Sequence, residues 1–271
     1  MPDNDETRPE NEMTVPVSST GPYDIAASGH SEDAPPLCGE VEVAADDELI
    51  DRVAADLFVH AHNCVSEFGD FHIAISGNQR LLPLYERLMY DPNVRSFPWR
   101  RTHLWMTDDR CVDSESPASK FLTIRETIGD HADIPEQQVH PLHADRKTAD
   151  REYEVILRDT LGWRERGHDR LDCVVLDLAP DGHIASIFGQ EDPDTSKRWM
   201  AFTESPQGPV SERLTMTLTL LNTARLVVVW AADPSVESAL IQLGQGSHGM
   251  SAAGLNPSGV LKWYLAPESG E

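Results

Sequence analysis

Short apolar runs alternate with longer amphipathic segments along this chain, and this alternation constrains its fold more than any other feature. The runs with a strand pattern are 41–43, 71–75, 102–106, 172–176, 226–230 and 260–265. The segments between them space their apolar residues by three and four, which is typical of helices. The helical segments are 49–65, 82–89, 114–128, 149–161 and 235–243. Strands that alternate with helices predict an α/β fold: a mainly parallel, doubly wound sheet with helices on both faces.

Acidic residues dominate the charge of the chain and restrict its partners. The 271 residues carry a formal net charge of −24. This charge argues against a nucleic-acid partner and against binding to an anionic membrane surface. It also works against the approach of an anionic substrate, so any phosphate site requires local positive charge. The sequence makes no prediction of the oligomeric state.

The acidic excess is concentrated at the start of the chain. Residues 1–50 contain thirteen acids and a single base, Arg8, for a net of −12. Residues 1–36 are rich in Pro, Ser, Glu and Asp, which predicts a disordered acidic tail, either solvating or docking, ahead of an α/β domain at 37–271. The first residues do not resemble a signal or transit peptide, and no run approaches the ~18 apolar residues that span a membrane. A cytoplasmic location is expected.

Cysteines and most histidines give no sign of a metal site. The four cysteines lack CxxC spacing, so neither a zinc site nor a disulfide framework is indicated. Nine histidines show no ligand spacing matched by acids, and we predict structural or solvated roles for them: His60, His62, His72, His103, His131, His140, His143, His168 and His248. We expect no metal and no cofactor.

One histidine stands at a position that favours chemistry. The buried-strand run 173–176 leads into a turn at 180–182, followed by His183 and a short helix-like segment at 184–188. Open α/β sheets bind ligands outside the carboxyl ends of their strands. A histidine there, two residues after Asp181, is a candidate general base with an orienting carboxylate. The alternative is a turn histidine that forms only local hydrogen bonds.

Residues 180–188 read Pro-Asp-Gly-His-Ile-Ala-Ser-Ile-Phe, which resembles the signature of the 6-phosphogluconolactonases. Their superfamily includes the glucosamine-6-phosphate deaminases, and the resemblance extends from about Pro36 to Pro267. It implies hydrolysis of 6-phosphogluconolactone to 6-phosphogluconate in the oxidative pentose-phosphate pathway, without a cofactor. His183 would activate water, and Asp181 or a nearby backbone group would hold its tautomer.

The resemblance also implies a set of substrate-binding residues. Ser76 and Gly77 match the start of a phosphate loop, and Arg80 replaces hydroxyl donors of that loop. Asp108 and Arg110 match the family's Asp-Glu-Arg motif. Lys120 stands where the family has asparagine, and Arg213 matches an arginine that contacts phosphate. The implied substrate-binding residues are Ser76, Gly77, Arg80, Asp108, Arg110, Lys120 and Arg213.

Several positions depart from the family pattern and leave alternatives open. Asn78, Asp177 and Ala179 replace glycines, and the family's phosphate-binding lysine is missing from 231–237. A non-catalytic relative that binds a sugar phosphate is one alternative, and an amino-sugar-phosphate deaminase is another. Arg80 and Lys120 would compensate for the missing lysine if both faced the phosphate site, whereas side chains facing solvent would favour an inactive site.

Overall fold

A computed structural model describes residues 36–189 and 197–267. The predicted tail at 1–36 lies outside these residues apart from Pro36, so it stays a prediction. The strands are β1 (Glu40–Val43), β2 (Phe71–Ile75), β3 (Thr102–Met106), β4 (Asp108–Arg110), β5 (Val139–His140), β6 (Cys173–Asp177), β7 (Met200–Glu204), β8 (Glu212–Met216), β9 (Leu226–Ala231) and β10 (Val260–Leu265). The helices are α1 (Asp46–Phe68), α2 (Leu82–Tyr90), α3 (Lys120–Ile124), α4 (Ala149–Leu161), α5 (Leu218–Leu221) and α6 (Glu237–Gly244).

Seven strands form one sheet in the order β1-β10-β9-β6-β2-β3-β5, and every neighbouring pair is parallel. The central strands β2, β6 and β9 are buried along their whole length. Burial of every residue means that both faces of the sheet are covered, as βαβ crossovers require. The predicted α/β fold with a mainly parallel sheet is confirmed.

The first helix illustrates how the sequence determines an element. Three acids, Asp46 to Glu48, occupy the first turn of α1, where the helix dipole favours negative charge. The helix ends at Gly69, whose φ of 88° lies in the left-handed region that glycine adopts without steric cost. Between these ends, the apolar residues spaced by three and four form the buried face, including Leu49, Val53 and Leu57.

The strand order reverses direction between β2 and β6. From β2 the chain moves outward through β3 to β5, and from β6 it moves the other way through β9 to β10. Such a reversal opens a crevice at the carboxyl ends of the two strands, where α/β proteins bind ligands. The residues that follow β2 begin at Ser76, and those that follow β6 lead to His183.

A second sheet extends one side of this crevice. Strands β4, β8 and β7 form a three-stranded antiparallel sheet that the sequence patterns did not predict. Strand β4 follows β3 after a single residue, Thr107, whose carbonyl oxygen accepts a hydrogen bond from the N–H of Met216. Its register places Asp108 opposite Thr215 and Arg110 opposite Arg213. This pairing joins the motif at 108–110 to the motif at 213–215, which lies about a hundred residues further along the chain.

The prediction of a helix-like segment at 184–188 is wrong. Ala185 has a φ of 50°, which is outside the right-handed helical region, and Ile184 forms an isolated bridge to Ile187. The N–H groups of Ile184 and Ser186 bond to the side chains of Ser251 and Thr215, and the N–H of Ile187 donates to the carbonyl of Ile184 in a tight turn. Within 36–189 and 197–267, no helix has both the length and the apolar composition needed to cross a membrane.

Candidate active site

His183 and Asp181 form a close pair beyond the carboxyl end of β6. His183 Nδ1 lies 2.5 Å from Asp181 Oδ1, and the same oxygen accepts the backbone N–H of His183 at 3.2 Å. Because an ionised carboxylate only accepts, Nδ1 carries the hydrogen and Nε2 of the neutral ring is left with a free lone pair. Partial burial favours a raised pKa for Asp181, but the hydrogen bonds from His183 outweigh it and lower that pKa.

Residues 250–252 hold the turn that carries this pair. Gly182 has a φ of 80°, and a Cβ at this position would lie 2.0 Å from the sulfur of Met250, so only glycine fits. The N–H of Ala252 donates to the carbonyl of Gly182 at 3.2 Å, and Ser251 Oγ accepts the N–H of Ile184 at 3.1 Å. The pair therefore rests on a fixed backbone, and sequence reasoning had given these supporting residues no role.

Asp108 is the centre of a buried polar cluster. Its side chain is fully buried, and Oδ2 accepts hydrogen bonds from Lys120 Nζ and Ser186 Oγ, both at 2.5 Å. Burial alone would raise the pKa of Asp108, but the charge and hydrogen bond of Lys120, with the hydroxyl donors, lower it. A carboxylate that is buried and bound in this way orients its partners and is poorly placed to take a proton from a substrate.

Asp109 has a structural role that the motif did not predict. Its carboxylate accepts hydrogen bonds from Ser119 Oγ at 2.8 Å and from the N–H groups of Lys120 at 2.7 Å and Phe121 at 3.0 Å. It therefore binds the first N–H groups of α3, which have no partner within the helix. This arrangement fixes Lys120 beside the end of β3. In the sequence, the only signal for this role of Asp109 was an acid followed ten residues later by Ser-Lys.

The loop after β2 is occupied by a carboxylate of the same chain. Ser76 Oγ donates to Asp177 Oδ1 at 2.9 Å, and Asn78 Nδ2 donates to Asp177 Oδ2 at 2.7 Å. Arg80 lies 4.0 Å from Asp177 and 3.1 Å from Asp233. The backbone at Gly77 is also closely packed, since an added Cβ would lie 2.6 Å from the carbonyl oxygen of Lys120.

Among the cations that the resemblance implies, Arg110 and Arg213 differ from Arg80 and Lys120. The described hydrogen bonds of their side chains go to backbone carbonyls and not to carboxylates. Arg110 Nη1 donates to the carbonyl of Ala118 at 2.8 Å, and Arg213 Nη1 donates to the carbonyls of Val210 and Glu212. Burial and then the nearby charge of Arg110 lower the pKa of Arg213. Two adjacent guanidinium groups favour an anion between or beside them.

The structure thus sorts the implied binding residues into three groups. Ser76, Gly77 and Arg80 surround Asp177, while Asp108 and Lys120 form a buried ion pair. Arg110 and Arg213 face each other across β4 and β8. Arg80 and Lys120 are each paired with an acid of the chain. They are therefore not free cations that replace the missing lysine, and they do not simply face solvent either.

Three side chains at the other end of β2 and β3 have potential metal-ligand atoms within 4.8 Å of one another: Asp70, His72 and His103. Trp105 Nε1 donates to His72 Nδ1 at 3.2 Å, which leaves the ring hydrogen of His72 on Nε2, 3.4 Å from Asp70. A protonated nitrogen cannot bind a metal. The hydrogen-bond pattern therefore favours a structural role, and the absence of a metal stays a prediction.

Comparison with known proteins supports the assignment to a family. A family model described as glucosamine-6-phosphate isomerases/6-phosphogluconolactonase matches residues 44–263. The 6-phosphogluconolactonase of Synechocystis sp. is 31% identical over 82% of this chain and 93% of its own length. The GDH/6PGL endoplasmic bifunctional protein of Oryctolagus cuniculus is 28% identical over 97% of this chain. This chain spans only 33% of that relative.

Comparison with solved structures agrees with this family. The crystal structure of 6-phosphogluconolactonase from Thermotoga maritima superposes with a TM-score of 0.72 and 26% identity, over 84% of this chain and 99% of that chain. A monomeric glucosamine-6-phosphate deaminase shares the fold with a TM-score of 0.70, at 16% identity over 84% of this chain and 97% of that one. The chain belongs to the glucosamine-6-phosphate isomerase/6-phosphogluconolactonase family.

Proposed function

We propose that this chain hydrolyses 6-phosphogluconolactone to 6-phosphogluconate, as the names of its relatives suggest. The observation that carries the proposal is the Asp181–His183 pair beyond the carboxyl end of β6, where a ligand can enter the crevice between β2 and β6. A hydrogen on Nδ1 leaves Nε2 of His183 ready to accept a proton from water. The side chain of His183 is 27% exposed, so water and substrate can reach it.

The reaction needs one base and no covalent intermediate. His183 Nε2 takes a proton from water while the water oxygen bonds to the lactone carbonyl carbon. The tetrahedral intermediate then breaks its bond to the ring oxygen, which receives the proton back from His183. Positive charge near the developing oxyanion stabilises this intermediate, and we assign that role to Arg110. The one serine of the motif, Ser186, donates its hydroxyl hydrogen to the buried Asp108 and has no base beside it in the described hydrogen bonds, which is consistent with direct attack by water.

Arg213 is the cation best placed to bind the substrate phosphate, and Arg110, opposite it on β4, keeps the role at the oxyanion. Their described hydrogen bonds go to backbone carbonyls, so donors remain for an anion. Lys120 orients Asp108 and Ser186 within the site, and Ser76, Gly77 and Arg80 shape its opposite wall. We propose that the lactone site is formed by this set, some members in contact with the lactone and others holding those members in place: Ser76, Gly77, Arg80, Asp108, Arg110, Lys120, Asp181, His183 and Arg213.

The burial of Asp108 disfavours the deaminase alternative. A deaminase of this superfamily would use the acid at this position to move a proton on the substrate. Here Lys120 and Ser186 already occupy an oxygen of Asp108, and the side chain is fully buried. Lactone hydrolysis does not require Asp108 to transfer a proton, because Asp108 needs only to position Lys120 and Ser186.

A rate measurement with matched histidine variants tests the proposal. Purified chain is mixed with freshly generated 6-phosphogluconolactone, and acid release is followed at constant pH with the spontaneous rate subtracted. We expect activity in the wild type and a loss of about 10²–10⁴-fold in His183→Ala. His131→Ala, which changes an exposed histidine, should retain the wild-type rate. Equal rates in the wild type and His183→Ala would reject His183 as the base.

Two other sequence predictions stay predictions. The cytoplasmic location and the absence of nucleic-acid and membrane partners rest on composition and charge. A lactone substrate needs neither a membrane nor a nucleic acid, so the proposed reaction is compatible with both.

A further inference from the structure

Asp177 is a buried carboxylate that occupies a loop suited to anions. It is the last residue of β6, it is 6% exposed, and each of its oxygens accepts a hydrogen bond from the loop after β2. The donors are the hydroxyl of Ser76 and the side-chain amide of Asn78. Neutral donors of this kind, at a turn that leads from a strand to a helix, are the groups that a bound phosphate would use.

The charge around this loop is negative although it contains an arginine. Arg80 lies between two acids, with Nη1 4.0 Å from Asp177 and Nε 3.1 Å from Asp233. Two carboxylates beside one guanidinium leave a local net charge of −1. A phosphate dianion that approached Ser76 and Asn78 would therefore lose their hydrogen bonds to competition and would face a like charge.

The two arginines on β4 and β8 have the opposite character. Arg110 and Arg213 lie in register on β4 and β8, and their described hydrogen bonds go to carbonyl groups. An anionic group is therefore favoured beside these two arginines and disfavoured in the loop at 76–80. The loop at 76–80 and the arginine pair therefore differ in the sign of their local charge.

We propose that Asp177 determines substrate specificity: it acts as an internal competitor for phosphate at the 76–80 loop. The inference rests on the proposed function, because it assumes that the crevice binds a sugar lactone. With Asp177 in place, the site discriminates less between phosphorylated and unphosphorylated sugar lactones than a loop with free donors does. Unphosphorylated aldonolactones are therefore a second class of substrate for this chain.

Binding measurements test this role without relying on catalysis. The full chain is titrated calorimetrically with 6-phosphogluconate and with gluconate, which differ only in the phosphate. The variants are Asp177→Asn, which keeps the shape and removes the charge, and Asp177→Gly, which also frees the loop. Asp133→Asn serves as the control, because it removes one charge from an exposed ion pair with Arg100 at the amino end of β3.

The expected result is a change in ligand preference. Both Asp177 variants should bind 6-phosphogluconate about tenfold more tightly, with gluconate affinity within about twofold of wild type. Asp133→Asn should leave the ratio of the two affinities unchanged. If the ratio in Asp177→Asn and Asp177→Gly equals that of the wild type and of Asp133→Asn, the proposal is overturned.

A parallel rate assay separates this proposal from the proposed function. Wild-type chain is assayed with 6-phosphogluconolactone and with glucono-1,5-lactone. Tighter 6-phosphogluconate binding in the Asp177 variants supports the specificity role even if neither lactone is hydrolysed, which would refute only the proposed function. Hydrolysis of 6-phosphogluconolactone alone, with unchanged ligand preference in the variants, refutes the specificity role and leaves the proposed function intact.

Discussion

At the scale of single residues, two of the cations at the site are paired with acids of the chain. Lys120 is matched by Asp108, and Arg80 is matched by Asp233 and Asp177. An unpaired charge in a buried site is costly, so paired cations of this kind fix geometry and are poorly available to a ligand. His183 differs, because its hydrogen-bond partner Asp181 leaves one ring nitrogen open.

Asp181 is expected to act through the orientation of His183. In Asp181→Asn, the charge that favours an Nδ1–H tautomer is removed while the side-chain shape is kept. We expect kcat for lactone hydrolysis to fall about tenfold to a hundredfold, with little change in KM. Steady-state kinetics of Asp181→Asn, His183→Ala and the double variant provide the measurement.

The double variant provides the control for this positioning role. If Asp181 works through His183, the double variant should be no slower than His183→Ala alone, because effects of residues that act as a unit are not additive. A double variant that is slower by the full product of the single effects would contradict this account of Asp181.

Sequence reasoning proposed residues for the site but did not predict the partners that the structure gives them. The motifs gave His183, Asp108 and Arg213 their positions at or near strand ends, because turns and strand ends are encoded locally. The partners of Arg80 lie about a hundred and a hundred and fifty residues further along the chain, so no local pattern connects them. Such pairing depends on strand order, which the sequence did not give.

At the scale of elements, the end of β3 and the start of α3 form one unit joined by Asp109. This unit presents Lys120 to Asp108 and closes the site from one side. Helix α3 is five residues long, and so short a helix contributes little stability of its own. Its position therefore depends on the carboxylate that binds its first N–H groups.

Removal of this carboxylate should destabilise the protein measurably. Asp109→Ala leaves the N–H groups of Lys120 and Phe121 without their acceptor in a mostly buried site. We expect the free energy of unfolding to fall by about 2–4 kcal/mol, because each buried unsatisfied donor costs about 1–3 kcal/mol. Urea unfolding followed by circular dichroism provides the measurement.

Asp113→Ala is the matched control for the loss of this acceptor. Asp113 accepts the N–H of Glu115 in an exposed turn, where water can replace the lost acceptor. Its replacement should cost less than about 1 kcal/mol. Equal destabilisation by the two alanine substitutions would show that Asp109 does not hold α3 in place.

The antiparallel sheet is the element that sequence patterns missed. Strand β7 is five residues long and only its first residue, Met200, is buried, while the others are half-buried or exposed. So short a run with a single buried residue resembles a loop in the sequence. The parallel strands were easier to predict, since a run such as that of β9 is apolar at nearly every position. A strand buried on both faces is apolar at nearly every position, so it is easier to recognise in the sequence than a strand buried on one face.

At the scale of the whole molecule, a row of aromatic rings spans three neighbouring strands at one edge of the sheet. His72, His103, Trp105 and His140 lie on β2, β3 and β5, and the ring of Trp105 stacks on that of His140 with centroids 3.5 Å apart. Burial first, and neighbouring histidines second, lower the pKa of His103 to about 4 and of His140 to about 3. Both rings are therefore neutral at pH 7.

These histidines should make the fold sensitive to mild acid. Between pH 6.5 and about 4 the unfolded chain binds protons that the folded protein does not, so the free energy of unfolding falls as the pH falls. We expect a loss of about 2–3 kcal/mol between pH 6.5 and 5 from the two rings together, measured by urea unfolding at a series of pH values. The His140→Gln variant should show a shallower slope.

The exposed His131 gives the control for this pH dependence. His131→Gln should keep the wild-type slope of unfolding free energy against pH, because His131 is exposed and lies outside the buried row. Identical slopes for His140→Gln and the wild type would contradict the account of the buried row.

The central claim is that this chain accelerates the opening of a phosphorylated sugar lactone. The most direct test follows 6-phosphogluconolactone and glucosamine 6-phosphate separately by NMR in the presence of the purified wild-type chain. We predict loss of the lactone and growth of 6-phosphogluconate well above the spontaneous rate, with glucosamine 6-phosphate unchanged. Lactone loss at only the spontaneous rate, or conversion of glucosamine 6-phosphate instead, would contradict the claim.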